Sequence, residues 1–478
     1  MATRKRVLSP HSVFDEPQLK ALFQEHKVNA HHINSIYRHI IQNNASSFDD
    51  IPELPVRILP LLKQNFVFST SKVFSRMDAS DNSTTKLVVE LQDGQKVETV
   101  IMRYGEVELN SFPKEERERR LKELEKEGKQ FKSNKRATVC ISSQVGCAMG
   151  CTFCATGTMG LLSNLTTGEI IEQLVHANQI EKIRNVVFMG MGEPLDNYDA
   201  VLGAVQAMIN TSRFSLSPSR ITISTVGVAP RILSLMKDVP QIGLALSLHA
   251  PTQELRSEIV PSSKSFSLTK ILDAVFAFIE NQNAINSKGV FPKTSGQRHV
   301  LVEYVLIENV NSSVEVARQL GQLFAERAPQ KDIMVNVIPY NPTDVIASYE
   351  KPTQETIKQF VETVRSYGVY TLIRQELGQD IASACGQLVV KGQQKKKAGD
   401  CGDGKTADLE DLVGKKSGVQ NGKPTVVKRT TAKKDTVVPS DNDGKNEGTW
   451  MTPLVIGGIA LGLGFAALAV ARSFRSRK

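Results

Sequence analysis

The sequence predicts an α/β protein whose centre is an open, six-unit (β/α) partial barrel, preceded by a small helical domain and a hairpin. Three observations predict this. From Ala137 onward, short β-branched runs and amphipathic stretches alternate. Each strand candidate is followed by a helix candidate, the order that favours parallel strands covered by helices. Finally, the chain offers two units too few to close an eight-stranded barrel. One side should therefore stay open and admit a large molecule.

The elements follow in order. "PQLKALFQEHKV" and "HINSIYRHIIQN" carry helical periodicity, and residues 1–66 read as a small helical domain. In "KLVVELQDGQKVETVIM" two strand-like runs flank Asp93-Gly94, a strong hairpin signal. "PKEERERRLKELEKEGKQFKSNKR" is dense in both charges and reads as an exposed insertion, so residues 67–136 are taken as hairpin plus insertion. The core, 137–388, has strand candidates "ATVCISS", "RNVVFMGMG", "RITISTVG", "IGLALSLHA", "HVLVEYVLI" and "DIMVNVIPYN". Its helix candidates are "TTGEIIEQLVHANQI", "DAVLGAVQAMIN", "APRILSLMKD", "TKILDAVFAFIENQ", "SVEVARQLGQLFAE" and "TQETIKQFVETVRSYG".

Beyond Leu388 the composition turns to Gly, Lys and Asp, so 389–450 reads as a disordered linker. No charge occurs from Gly448 to Ala471, and 451–471 is long enough for a transmembrane helix, with 472–478 as a basic end. Six cysteines in 478 residues exclude a secreted disulfide framework. The net charge of +9 is misleading: the linker holds 13 Lys and Arg against 9 Asp and Glu, and the last residues add Arg472, Arg475, Arg477 and Lys478. The body is nearly neutral, so any nucleic-acid contact must come from local patches.

Half of the cysteines lie in "CAMGCTFCATG", as Cys147, Cys151 and Cys154. A structural zinc site wants four ligands, and three leave a vacancy. Iron–sulfur clusters are held by thiolates, and three thiolates on a cubane leave one iron open. The loop follows the first core strand, at the end where barrel active sites gather. Both metals remain open on spacing alone, with the cluster favoured.

Cys-x3-Cys-x2-Cys after the first barrel strand resembles the signature of radical S-adenosylmethionine (SAM) enzymes. "CISSQVGCAMGCTFCATG", "VVFMGMGEPLDN", "LSLHAP", "VEYVLI", "IPYNP" and "DIASACGQL" together resemble the RlmN/Cfr family of RNA adenine methyltransferases, over residues 15 to 390 or so. The resemblance implies a radical-SAM partial barrel, a [4Fe-4S] cluster on Cys147, Cys151 and Cys154, and two SAM molecules per turnover. It implies that Cys385 carries the methyl group, that Cys140 resolves the enzyme–RNA adduct through a disulfide with Cys385, and that Glu98 accepts the adenine proton. It places Gly192, Glu193, Ser224, Ser247, Leu248, His249 and Asn341 at SAM. The charged insertion between Glu98 and Cys140 departs from the family, which has a short connection there.

The chemistry explains the demand for such residues. Adenine C2 is an electron-poor amidine carbon that cannot attack a methyl sulfonium, whereas a thiolate can. A buried target base must also be exposed. The expected activity is methylation of adenosine C2 in ribosomal RNA, transfer RNA or both. The competing readings are adenine C8 methylation, as in Cfr, and a membrane-tethered, non-catalytic RNA-binding scaffold. Implied partners are RNA, a flavodoxin or ferredoxin electron donor, and a membrane reached through the C-terminal helix. The chain is expected to be a monomer with a cytoplasmic catalytic body, tail-anchored at an organelle outer membrane. Cys401, in the linker, matches no motif.

Overall fold

The computed structural model describes residues 6–43, 45–104, 115, 119, 136–287, 300–327, 332–343, 345, 348–374, 377–383 and 386–388. One compact unit spans Met1–Asp400; the second, Cys401–Lys478, lies outside the described residues. Cys385, the linker, the expected span 451–471, the basic end and nearly all of the charged insertion also lie outside them. Among the described residues no helix is long and apolar enough to cross a membrane.

Two short strands, β1 (His11–Ser12) and β2 (Phe66–Val67), pair in parallel and bracket the N-terminal helices. These are α1 (Glu16–Glu25), α2 (His32–Asn43) and α3 (Leu59–Asn65). Pro17 sits in the first turn of α1, where its missing N–H costs nothing. Ile33, Ile36 and Tyr37 put one face of α2 in the core, and the Tyr37 ring meets Phe14 edge-on at 5.1 Å.

A single ten-stranded sheet forms the body. It begins with antiparallel β3 (Lys72–Asp78), β4 (Thr84–Glu90) and β5 (Lys96–Tyr104). The expected hairpin is β4–β5, turning through Gly94 at φ +80°. β5 then pairs antiparallel with β6 (Arg136–Cys140), the first strand of the parallel set. A side hairpin follows, β7 (Gln144–Gly146) with β8 (Leu161–Asn164), and one helical turn, α4 (Ala155–Thr158), lies within its loop.

The alternation then runs α5 (Thr167–Ile180), β9 (Ile183–Phe188), α6 (Tyr198–Ile209), β10 (Ile221–Thr225), α7 (Ala229–Asp238) and β11 (Gly243–Ser247). After α8 (Gln253–Ile259) and α9 (Leu268–Ser287) it continues as β12 (Val300–Leu306), α10 (Val314–Arg327), β13 (Ile333–Pro339), α11 (Gln354–Ser366) and β14 (Tyr370–Ile373). Strands β6 and β9 to β14 lie side by side in chain order, all parallel, and β3 and β14 stand at opposite edges, so the sheet is open.

The six expected strands are all present, and β14 is a further parallel strand that the sequence reading did not include. With Tyr370, Leu372 and Ile373 exposed, this edge strand has little buried pattern to read. For the same reason β3, exposed along nearly its whole length, was not anticipated.

The N-terminal domain docks through polar groups. Glu172 of α5 accepts hydrogen bonds from Ser12 Oγ (2.6 Å), Thr70 N (2.9 Å) and Ser71 N (2.8 Å). Arg6 forks onto both oxygens of Glu169 at 2.7 Å, while Glu169 completes a capping box with Thr166. Asp15 accepts from Gly168 N at 2.7 Å, and burial pushes its carboxyl up to about 6. Between about pH 4 and 6 the folded chain therefore keeps a proton that the unfolded chain releases, so this group's contribution falls as pH rises. In urea titrations at pH 4 and pH 7, Asp15→Asn should gain about 2–3 kcal/mol relative to the native chain at the higher pH. A difference independent of pH would exclude this buried acid.

Candidate active site

Parallel strands end together, and their loops meet over one end of the sheet. There a cavity of about 170 Å³ is lined by Cys140, the three clustered cysteines, Gly192, Glu193, Ser224, Ser247, His249 and Asn341. Leu248 is different: it is wholly buried behind the wall and gives its backbone N–H to Glu303 O at 3.1 Å. Cys385 lies outside the described residues, but Ser383 and Gly386 on either side of it line the cavity.

The cysteine loop is held by backbone bonds. Cys147 N donates to Gly160 O (3.1 Å) and Thr152 N to Ile259 O (3.0 Å). Ala155 N donates to Gly386 O (2.8 Å) and Thr156 Oγ1 to Leu388 O (2.5 Å), tying the loop to the segment just after Cys385. The thiols open on the cavity yet lie deep in protein. Burial pushes all three pKa values up, and Cys147 and Cys154 push Cys151 further. A metal centre that binds here must displace protons. Among the described residues no three His, Cys, Asp or Glu stand close enough to hold a single metal ion.

Two glycines let the loop after β9 approach the first strand. A Cβ at Gly190 would lie 2.6 Å from Ile141 O. At Gly192 it would lie 2.5 Å from Gln144 Cβ, and φ there is +99°. Glu193, fully enclosed, accepts from Leu195 N (3.0 Å) and Val226 N (2.9 Å), and so joins the loops after β9 and β10; burial raises its carboxyl to about 7. Ser224 and Ser247 on adjacent strands touch through their hydroxyls at 3.1 Å. Asn341 Oδ1 accepts from Gln379 Nε2 at 2.8 Å.

His249 sits at φ +62° and accepts from Val305 N through Nδ1 at 3.1 Å, which leaves the ring proton on Nε2. Burial and the nearby Arg256 cation drop its pKa to about 3, so it works as a neutral ring. Cys140 ends β6 as a free thiol, raised to about 11 by burial, with Arg374 pulling the other way.

Register places Glu98. Val100 of β5 faces Cys140 of β6, and Val100, Met102 and Tyr104 line the cavity. Glu98 falls on the same face by alternation, while Thr99 turns the other way to bond Gln173 of α5 at 2.9 Å. Glu98 is buried and pairs with buried Lys86 at 3.2 Å. Lys86 also donates to Ala382 O at 3.1 Å, three residues before Cys385. Sequence reasoning missed Lys86, although a lysine inside the apolar run "TTKLVVEL" was the available signal.

Residues 141–284 match the Radical SAM superfamily. The ribosomal RNA large subunit methyltransferase N of Nitrosopumilus maritimus is 36% identical over 346 residues, covering 71% of this chain and 87% of that protein. The probable dual-specificity RNA methyltransferase RlmN of Carboxydothermus hydrogenoformans is 35% identical over 378 residues, 78% of this chain and 96% of its own. The chain belongs to the RlmN family. A radical SAM methyltransferase from Sphaerobacter thermophilus has a similar fold, with a TM-score of 0.64 and 31% identity over 79% of this chain and 99% of that one.

Radical SAM proteins of the RlmN family use a [4Fe-4S] cluster and SAM, and these residues fit both. Three thiols and no fourth described cysteine ligand stand in one loop, the glycine-lined approach leaves backbone open to a cofactor, and a buried guanidinium nitrogen, Arg256 Nη1, lacks a partner among the described residues. Gly192→Ala should cost at least tenfold in SAM affinity, measured by anaerobic equilibrium dialysis, because the added methyl meets both a positive φ and Gln144. Unchanged affinity would show that this approach does not shape the SAM site.

Proposed function

We propose that this chain methylates C2 of adenosine in ribosomal RNA, transfer RNA or both. One observation carries the reading: the cluster thiols, Cys140 and the segments flanking Cys385 converge on one cavity. The family relationship supports it, since the relatives are named as ribosomal or dual-specificity RNA methyltransferases. When bound, the cluster and SAM supply a methyl group and one-electron chemistry suited to an unreactive amidine carbon.

The chain's residues have distinct work. Cys385 accepts the methyl as a thiolate and presents it to the base. Glu98 takes the adenine C2 proton, its carboxylate oriented by Lys86. Because Lys86 also holds Ala382, the base and the Cys385 segment share one anchor. Cys140 releases the product: its thiolate attacks the Cys385 sulfur, and the disulfide forms as the sulfur–carbon bond to the base breaks. The electron pair left on that carbon takes a proton to complete the methyl group. Buried as a protonated thiol, Cys140 must first lose its own proton. Gly192, Glu193, Ser224, Ser247, Leu248, His249 and Asn341 form the SAM site.

Anaerobic reaction with RNA, followed by nucleoside mass spectrometry, tests this. 2-Methyladenosine is expected; 8-methyladenosine would move the chain to the Cfr activity, and no product from cluster-loaded protein would favour a scaffold. Cys385→Ala should form no RNA adduct, whereas Cys140→Ala should leave protein covalently bound to RNA. Normal turnover by Cys140→Ala would remove it from the resolving role.

The same reading includes a monomeric catalytic body on the cytoplasmic side, reduced by a flavodoxin or ferredoxin system and anchored through residues 453–471. The anchor rests on the uncharged run from Gly448 to Ala471. A linker of this length spans about 40 Å, enough for the body to meet a large RNA away from lipid. Truncation after Leu388 should preserve methylation in vitro and abolish membrane association in cells. Release of the full chain by alkaline carbonate would refute the anchor.

A further inference from the structure

Arg256 is wholly buried, and nothing in the motif reading assigned it a role. It stands on α8, between the loops that end β10 and β11. Its Nε donates to Leu248 O at 3.0 Å; its Nη2 donates to Ser247 O at 3.2 Å and to Val226 O. One edge of the guanidinium thus gathers the carbonyls of two neighbouring strand ends. Nη1, on the opposite edge, is buried with no partner among the described residues.

Hydrogen bonds to carbonyls alone do not require a permanent cation, and burying one is costly without an anion. Burial lowers its pKa to about 10, and the nearby acidic groups that oppose that fall are Cys151 and Glu193. Glu193 already gives its two oxygens to backbone N–H groups. Cys151 is a cluster-binding position in the reading above, and Thr152 beside it bonds to Ile259 at the end of the helix that carries Arg256.

We infer that Arg256 is a positioning residue whose buried charge balances the cluster-bound thiolates and favours the reduced cluster. This inference rests on the proposed cluster site. A [4Fe-4S] cluster on three thiolates is anionic in both states of its couple, and each added electron makes it more so. In a low-dielectric site a fixed cation nearby offsets that cost. Lysine would keep the charge while losing the fork; glutamine would keep some hydrogen bonding while losing the charge.

The test is the cluster's midpoint potential, measured by anaerobic spectroelectrochemistry on the full chain without SAM, with iron and sulfide content and SAM affinity measured alongside. Arg256→Gln should shift the potential to more negative values, or fail to hold iron, while Arg256→Lys holds the cluster near the native potential. Equal potentials in all three proteins would overturn the inference. So would a lysine variant as defective as the glutamine one, which would assign the role to the fork's packing. A loss of SAM affinity alone, with the potential unchanged, would assign Nη1 to the SAM carboxylate and also overturn it. Native protein that binds no four-iron cluster would instead defeat the functional reading itself.

Discussion

The pairing of Val100 with Cys140 fixes much of this site. It is the seam between an antiparallel hairpin and a parallel sheet. Side chains alternate along a strand, so a slip of one residue would exchange the faces of β5. Glu98, Val100 and Met102 would turn to α5, and Thr99 would enter the cavity. The register is locked on both faces. Thr99 bonds Gln173, and Gln173 Nε2 in turn holds Ser142 O at 2.9 Å; Ser142 Oγ reaches Glu98 O at 2.7 Å. Each polar group in that chain is buried, so a slipped register would leave several unsatisfied.

The seam also explains why the hairpin belongs to the catalytic body. In the antiparallel set β3 to β5, the outer strand β3 is exposed and the middle strand β4 is buried on both sides. The middle strand carries Lys86 inward, and Ser80 N nearby donates to Asp380 at 2.8 Å. Through these contacts the hairpin holds the segment that leads to Cys385. The parallel strands hold the cysteine loop, and the cysteine loop holds the residues just after Cys385. Two separate parts of the sheet therefore grip the two sides of one cysteine.

Electrostatics in the cavity follow from depth. Cys140, the cluster thiols and Glu193 are all raised toward their neutral forms, and His249 is held neutral from the opposite direction. In each case the cause named first is burial, which disfavours the charged form. Arg374, 3.5 Å from Glu303, lines the cavity, and Arg256, wholly buried, is spread over the carbonyls of residues 226, 247 and 248.

The sequence by itself determined the βα order, the hairpin at Gly94, the cysteine triplet and the motifs that end each strand. Each is local: a period, a turn residue or a spacing within a few positions. That Cys147, Cys151, Cys154, Gly192, Ser224, Ser247 and His249 lie around one cavity was legible because their motifs sit at strand ends, and parallel strands bring such ends together. Edge strands β3 and β14 were not legible, because an exposed strand needs no apolar face. Arg256 looks like a surface residue when read along its short helix, and the run around Lys86 marks that lysine as unusual without showing its partner. Only the tertiary structure decided that they are buried and what they face, because their partners lie on other elements: Glu98 and Ala382 for one, and the carbonyls of residues 226, 247 and 248 for the other. No local period records a partner on another element.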